Sequence, residues 1–172
     1  MNKFKFAYYL LHLVVFVLLA TNLNSQNIKI PQKGYYGEAG ISFGTGFSKT
    51  RGSIPIFEIF TTHGYKPTPG LFLGLGINSY NTQYLAVYTQ VSGILRKIQQ
   101  TTSSYPILSF NFGYGASTWI GDNFADEKGI YIEPKFSWSF YSKNANIRYN
   151  VFTSVNIFNL RFIPKIGLAF EF

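Results

Sequence analysis

The stretch Phe162-Ile-Pro-Lys-Ile-Gly-Leu-Ala-Phe-Glu-Phe172 decides how the rest of this chain is interpreted. Its bulky apolar side chains occupy every second position, and Lys165, Gly167, Ala169 and Glu171 fall between them. A period of two indicates a β-strand, because successive side chains on a strand point to opposite faces. An apolar strand face that ends in a terminal Phe is awkward beside water and natural beside lipid.

The beginning of the chain has the three-part pattern of a secretory signal peptide. Lys3 and Lys5 provide a basic start, residues 6–20 are almost wholly apolar, and a small-polar stretch follows. The apolar run is shorter than the roughly 20 residues that a membrane-spanning helix needs. Cleavage after Ala20 or Ser25 fits; we favour Ser25, and an uncleaved anchor is the alternative. The predicted organisation is a signal peptide (1–25), a short segment (26–33) and one β-barrel domain (34–172).

Composition narrows the class of protein further. Aromatic residues make up 19% of the chain and charged residues only 13%, against about 25% charged residues in a typical soluble domain. Outside the predicted signal peptide the apolar residues are dispersed by alternation. The absence of cysteine excludes a lipid anchor, disulfides and thiolate metal sites. The formal net charge is +8, but the basic residues are scattered singly, so we predict no nucleic-acid partner.

Eight segments are predicted as strands, separated by clusters of Gly, Pro, Asn, Asp and Ser. Each is long enough for a tilted crossing of a bilayer, which takes about 9–11 residues. Their number is even, as in single-chain bacterial barrels. The predicted ranges are 34–48, 53–63, 70–79, 84–96, 105–117, 129–141, 146–156 and 162–172.

A soluble lipocalin-like β-barrel that binds a small apolar ligand would also show alternating apolar and polar residues. The composition of the face between the apolar positions distinguishes the two hypotheses. That face is rich in Gly, Ser and Asn with isolated charges, which suits a narrow polar interior. The other face carries bulky Phe, Leu, Ile and Trp on most strands, which suits lipid. The sequence therefore favours an all-β, eight-stranded antiparallel up-and-down transmembrane β-barrel.

Several segments resemble the small eight-stranded bacterial outer-membrane barrels of the OmpA/OmpX-like class. They are Phe72-Leu-Gly-Leu-Gly-Ile77, Tyr84-Leu-Ala-Val-Tyr-Thr-Gln-Val91, Tyr105-Pro-Ile-Leu-Ser-Phe-Asn-Phe-Gly-Tyr-Gly115 and Ile166-Gly-Leu-Ala-Phe-Glu-Phe172. The resemblance covers the predicted mature chain. It implies a Gram-negative outer-membrane location after Sec export, and contact with outer-membrane lipid. It also implies insertion by the barrel-assembly machinery, which would read Leu168, Phe170 and Phe172 as its signal.

The inward face is predicted to hold a structural network of matched charges. Such charges must be paired or hydrogen-bonded in a narrow lumen, because desolvating a lone charge costs several kcal/mol. Eight strands leave space for side chains rather than an open pore, so a closed plug is favoured over an ion conduit. The predicted network comprises Glu38, Glu58, Arg96, Glu133, Lys135, Arg148, Lys165 and Glu171.

Catalytic and metal sites are not predicted. His63 is the only histidine beyond the predicted signal peptide, and no serine lies at His-x-Ser spacing from it. The acidic residues Asp122, Asp126 and Glu127 lack the order of an EF-hand loop, so we interpret them as solvated. Six tyrosines near strand ends are interpreted as an interfacial girdle: Tyr35, Tyr36, Tyr80, Tyr84, Tyr105 and Tyr141.

The sequence thus predicts a non-enzymatic, monomeric outer-membrane barrel without a cofactor, with a structural or surface-interaction role. Two alternative hypotheses are the soluble lipocalin-like binder and a small transport or lipid-sensing barrel. The second of these requires a continuous wet lumen.

Overall fold

A computed structural model describes residues 33–48, 52–81, 84–95, 104–117, 128–142, 147–158 and 161–172. These residues form eight strands and no helix. The strands are β1 (Gly34–Ser48), β2 (Gly52–Thr68), β3 (Leu71–Tyr80), β4 (Tyr84–Ile94), β5 (Ser104–Ser117), β6 (Lys128–Ser142), β7 (Ile147–Phe158) and β8 (Arg161–Glu171).

The strands form one closed barrel in chain order, each antiparallel to its neighbours. β8 returns to β1 with Glu171 opposite Glu38 and Lys165 opposite Gly44. Phe172 extends this seam, since its N–H donates to the Gly37 carbonyl at 2.9 Å and its carbonyl accepts from Gly37 N–H at 2.8 Å. Closure leaves no unpaired sheet edge. We call the end where β1 begins and β8 ends the proximal end, and the opposite end the distal end.

The predicted strands match the observed ones in number and order, and β2 differs most in length. It runs to Thr68, whereas the sequence pattern predicted an end at His63. The ladder between β2 and β3 shifts register between Tyr65 and Thr68. Such a bulge relieves the need for a donor in the ladder, which lets Pro67 lie within the strand.

Glycines on the inward face make room for aromatic rings inside the barrel. Gly76 lies opposite Tyr88, and a Cβ at Gly76 would overlap the Tyr88 ring. Gly167 lies opposite Phe152 and would meet that ring in the same way. Small residues on one strand and large rings on the next therefore fill the narrow interior together.

No helix in the described part of the chain has the length and apolar character needed to cross a membrane. The predicted signal peptide (1–25) and the segment that follows it lie outside the described residues, apart from Lys33.

Candidate functional site

The interior of the barrel holds a set of charged side chains, none more than 8% exposed. Seven of the eight residues predicted for the charge network are among them, and the eighth, Arg96, has no described side chain. Lys66 is an additional interior cation that the sequence analysis missed, because it was assigned to a turn. The described interior charges are Glu38, Glu58, Lys66, Glu133, Lys135, Arg148, Lys165 and Glu171.

Lys165 is the centre of the charge cluster in the distal half of the barrel. Its Nζ lies 2.7 Å from Glu58 Oε2 and 2.7 Å from Glu133 Oε1. It also donates to the Tyr80 hydroxyl at 3.1 Å and lies 4.9 Å from the centroid of that ring. One ammonium group therefore bridges the carboxylates of Glu58 on β2 and Glu133 on β6.

Neutral side chains satisfy most of the remaining groups of this distal cluster, whereas Asn78 Oδ1 and Asn156 Oδ1 have no hydrogen-bond partner among the described residues. Asn78 Nδ2 lies 2.7 Å from Glu58 Oε1, 3.0 Å from the Tyr80 hydroxyl and 3.0 Å from the Tyr131 hydroxyl. Three further hydrogen bonds run from Tyr131 to Glu133, from Ser42 to Glu58 and from Asn156 to Tyr80. Buried ion pairs are retained where hydrogen bonds satisfy their other atoms. The distal cluster comprises Ser42, Glu58, Asn78, Tyr80, Tyr131, Glu133, Asn156 and Lys165.

A second ion pair occupies the middle of the barrel. Lys135 Nζ lies 2.9 Å from Glu38 Oε1. The same ammonium group lies 4.9 Å from the Phe60 ring centroid and 5.0 Å from that of Phe152, and these rings meet edge to face at 5.5 Å. Cation–π contacts within about 6 Å are attractive, and more so where water is excluded. We call Glu38, Phe60, Lys135 and Phe152 the central layer.

The proximal cluster combines an ion pair with aromatic rings. Lys66 pairs with Glu171, and its Nζ lies 4.9 Å from the Phe72 centroid and 5.4 Å from that of Tyr36. Arg148 is opposite Glu171 in the β7–β8 ladder. Its guanidinium carbon lies 5.1 Å from the Tyr105 centroid and 5.7 Å from that of Tyr141. The proximal cluster comprises Tyr36, Lys66, Phe72, Tyr105, Tyr141, Arg148 and Glu171.

Four acids balance four bases among the described interior charges, and the three groups of side chains are stacked along the barrel axis. One cavity of about 10 Å³ lies in the proximal half, which is room for about one water molecule. The described residues contain no group of three or more His, Asp or Glu side chains that could hold a metal ion. The arrangement has the character of a plug.

The outer surface of the barrel has the opposite chemistry. Large apolar side chains that point outward are broadly exposed, including Leu75 at 65% and Val87 at 57%. Every described strand contributes to this belt. Its members include Ile41, Phe43, Ile59, Leu73, Leu75, Ile77, Leu85, Val87, Val91, Leu108, Phe110, Phe112, Ile130, Phe136, Trp138, Val155, Ile166, Leu168 and Phe170.

Outward-facing threonines within this belt donate their hydroxyl protons to backbone carbonyls. Thr61 donates to the Glu38 carbonyl at 3.2 Å, Thr89 to the Phe112 carbonyl at 3.0 Å and Thr153 to the Lys165 carbonyl at 3.2 Å. Each acceptor belongs to a neighbouring strand. A hydroxyl satisfied in this way needs no water, which suits an apolar surrounding.

His63 lies on the outer surface near the proximal end, and protein partners hold both of its ring nitrogens. Nδ1 is 2.6 Å from the Tyr35 hydroxyl and Nε2 is 3.0 Å from Thr61 Oγ1. Because Thr61 also donates its proton to the Glu38 carbonyl, one consistent network has Tyr35 donating to Nδ1 and Nε2–H donating to Thr61. In that network Thr61 has no free proton for a base to remove, so this arrangement is not a nucleophile–base pair.

The prediction of a tyrosine girdle was wrong for five of its six members, because Tyr84 and Tyr141 contact interior residues as the three buried tyrosines do. Tyr36, Tyr80 and Tyr105 are at most 6% exposed and lie inside the barrel, where they contact the interior cations. Tyr84 also packs inward, with its ring 5.5 Å from Tyr80. The reason is parity, since each shares its strand face with interior residues such as Glu38 or Asn78. Tyr35 is exposed on the outer surface.

The predicted assembly residues Leu168, Phe170 and Phe172 all point outward and are exposed. The Phe172 ring occupies the space beside Gly37 and meets the His63 ring edge to face at 6.3 Å. Their role as an assembly signal remains a prediction. The acidic residues Asp122, Asp126 and Glu127 lie outside the described residues.

The sequence matches no protein-family model and no curated protein sequence. Solved structures do match the fold. Neisserial surface protein A (NspA) is 14% identical with a TM-score of 0.59, covering 80% of this chain and 96% of that one. The N-terminal β-barrel domain of Pseudomonas aeruginosa OprF is 13% identical with a TM-score of 0.58, covering 82% of this chain and all of that domain. The chain has the eight-stranded barrel fold of these small outer-membrane proteins.

Proposed function

We propose that this chain is a non-enzymatic integral protein of a Gram-negative outer membrane, with a structural or surface-interaction role in the cell envelope. The observation that carries the proposal is the inverted distribution of side chains on a closed barrel. Exposed Leu, Ile, Val and Phe side chains surround the barrel, while its charges are buried inside. Lipid is the solvent that matches such a surface, and closure satisfies the backbone without water.

The same distribution counts against a soluble lipocalin-like binder. A binder of apolar ligands needs an apolar cavity, whereas the proximal cavity has room for about one water and is lined partly by Glu38, Gln90 and Glu171. The outward belt would also be unusually large for a soluble monomer, because exposed apolar patches on such proteins rarely exceed a few hundred Å².

A transport role is disfavoured by the stacked interior. Three groups of paired charges and rings follow one another along the axis, and each pair is held by direct contacts. An ion that crossed the barrel would have to break Lys165 away from both Glu58 and Glu133. We therefore propose a closed lumen, with a surface role carried by the connections between strands.

The partners that follow from this proposal are outer-membrane lipid around the belt and the barrel-assembly machinery during insertion. Export by the Sec pathway and a monomeric state complete it. The name of NspA describes that relative as a surface protein, which is compatible with a surface role here.

Membrane fractionation tests the proposal. The full chain, expressed in a Gram-negative host, is expected in the outer-membrane fraction and to require detergent for extraction. Washing those membranes with high salt and with alkaline carbonate controls for peripheral attachment, which both treatments release. Quantitative recovery in a detergent-free periplasmic extract would contradict the proposal.

A further inference from the structure

A row of polar side chains crosses three strands in the proximal half of the lumen. Tyr105 lies opposite Ser139, and Ser139 lies opposite Asn150. All three are at most 3% exposed. The Tyr105 hydroxyl, Ser139 Oγ and Asn150 Oδ1 have no hydrogen-bond partner among the described residues.

Gln90 presents a fourth such group. Its Oε1 accepts a hydrogen bond from the Tyr36 hydroxyl at 2.9 Å, but its Nε2 has no partner among the described residues. Gln90 is 1% exposed. Buried polar groups in native proteins almost always have a partner, either protein or ordered water.

A cavity in the proximal half lies beside two of these groups. Gln90 and Asn150 both line it, together with Ser92, Ser109 and Ser137. Its volume of about 10 Å³ approaches that of one water-sized sphere, and a buried water requires two to four polar neighbours. Size and lining therefore both fit water.

The boundaries of this chamber are the groups already described. Toward the distal end the central layer lies above it, with Lys135 between the Phe60 and Phe152 rings. Toward the proximal end lie the Lys66–Glu171 pair and Arg148 over the Tyr105 ring. In the distal cluster the amide nitrogen of Asn78 already has protein acceptors, although its Oδ1 has no partner among the described residues.

We infer that the proximal chamber is a hydration site, in which ordered water bonds to Gln90 and Asn150 and completes their hydrogen bonding. The central layer separates this water from the distal cluster. This inference does not depend on the proposed function.

Nuclear magnetic resonance of the ¹⁵N-labelled protein, folded in micelles, tests the inference within one sample. Cross-relaxation from water is expected at the side-chain amide protons of Gln90, because its Nε2 has no hydrogen-bond partner among the described residues. Absence of the water signal at Gln90 would overturn the inference.

A variant that fills the chamber localises the water. Ser137→Val places methyl groups in the cavity and is expected to abolish the water signal at Gln90. Thr153→Val changes a hydroxyl for a methyl on the outer surface of the neighbouring strand, and it should leave that signal intact. Persistence of the signal in Ser137→Val would contradict the assignment. Should that variant not fold, the presence or absence of the water signal at Gln90 in the unmodified protein decides the question.

Discussion

Lys165 is the residue whose loss should damage the interior most. Replacing it with Met keeps much of its volume but leaves Glu58 and Glu133 buried without the ammonium group that both contact. Removing one partner of a buried ion pair typically costs about 3–5 kcal/mol. We expect a loss of that size in the free energy of unfolding of Lys165→Met, measured by urea titration of the barrel in lipid vesicles.

The matched control is Lys33→Met, which removes the same charge from an exposed position. Surface substitutions usually change stability by less than about 0.5 kcal/mol. Equal stability of the two variants would mean that the distal cluster does not hold the interior together.

Gly76 tests the packing of aromatic rings against small residues. A Cβ at this position would overlap the Tyr88 ring, and that ring cannot easily move. It stacks on Tyr131 at 5.5 Å and shares a hydrogen bond with Thr62 at 2.9 Å. Overpacking typically costs about 1–3 kcal/mol, so we expect Gly76→Ala to lower the urea midpoint.

Gly93→Ala is the matched control, because a Cβ there meets nothing within 4 Å. Its urea midpoint should stay close to that of the unmodified protein. If both alanine variants behave alike, the ring-and-glycine packing is not a source of stability.

Arginine substitutions at two positions along the strands test whether the outer surface contacts lipid. Leu75 lies halfway along β3 and points outward, 65% exposed, whereas Phe162 lies near the distal end of β8. An Arg at the bilayer midplane of a barrel costs about 2–4 kcal/mol, falling to about 0–1 near the interfaces. We expect Leu75→Arg to lose several times more unfolding free energy in vesicles than Phe162→Arg. On a soluble protein, two such exposed positions would tolerate arginine about equally well.

Strand order was predictable from the sequence because the period of two is strong on β3, β5, β6 and β8. The end of β2 was not predictable, because Pro67 and Pro69 resemble a turn and only the bulge between Tyr65 and Thr68 keeps the ladder going. That error removed Lys66 from the predicted interior. Extending the alternation from Glu58 through Thr62 to Lys66 would have found it.

The assignment of tyrosines failed for a related reason. Position near a strand end suggested an interfacial girdle, but strand parity places Tyr80 on the inward face with Asn78. Parity was the stronger signal. An aromatic at a strand end belongs to the girdle only when it shares a face with the apolar belt, as Tyr35 does with Ile41.

At the scale of the whole molecule, the partners across the lumen were beyond the reach of the sequence. Alternation predicts that Glu58 and Lys165 face inward, but 107 positions separate them. Their contact depends on the stagger of all eight strands around the closed barrel. The sequence could therefore predict which residues belong to the charge network. Which of them pair with one another follows only from the register of the strands.

Stacking of the distal cluster, the central layer and the proximal cluster predicts a barrel that does not conduct. In planar lipid bilayers we expect no stable conductance steps from the unmodified protein. A double variant, Phe60→Ala with Phe152→Ala, removes two rings of the central layer and serves as a comparison for the sensitivity of the recording. Regular steps from the unmodified protein would contradict the closed lumen.

Heat-modifiability on SDS gels tests the central claim most directly, namely that the chain is a closed membrane barrel joined at the β1–β8 seam. The protein from detergent-extracted membranes should migrate differently before and after boiling, because a closed barrel resists SDS until it is heated. Deleting Phe172 removes both hydrogen bonds to Gly37 and should abolish the shift. Identical mobility of boiled and unboiled samples, with the protein recovered without detergent, would contradict the account.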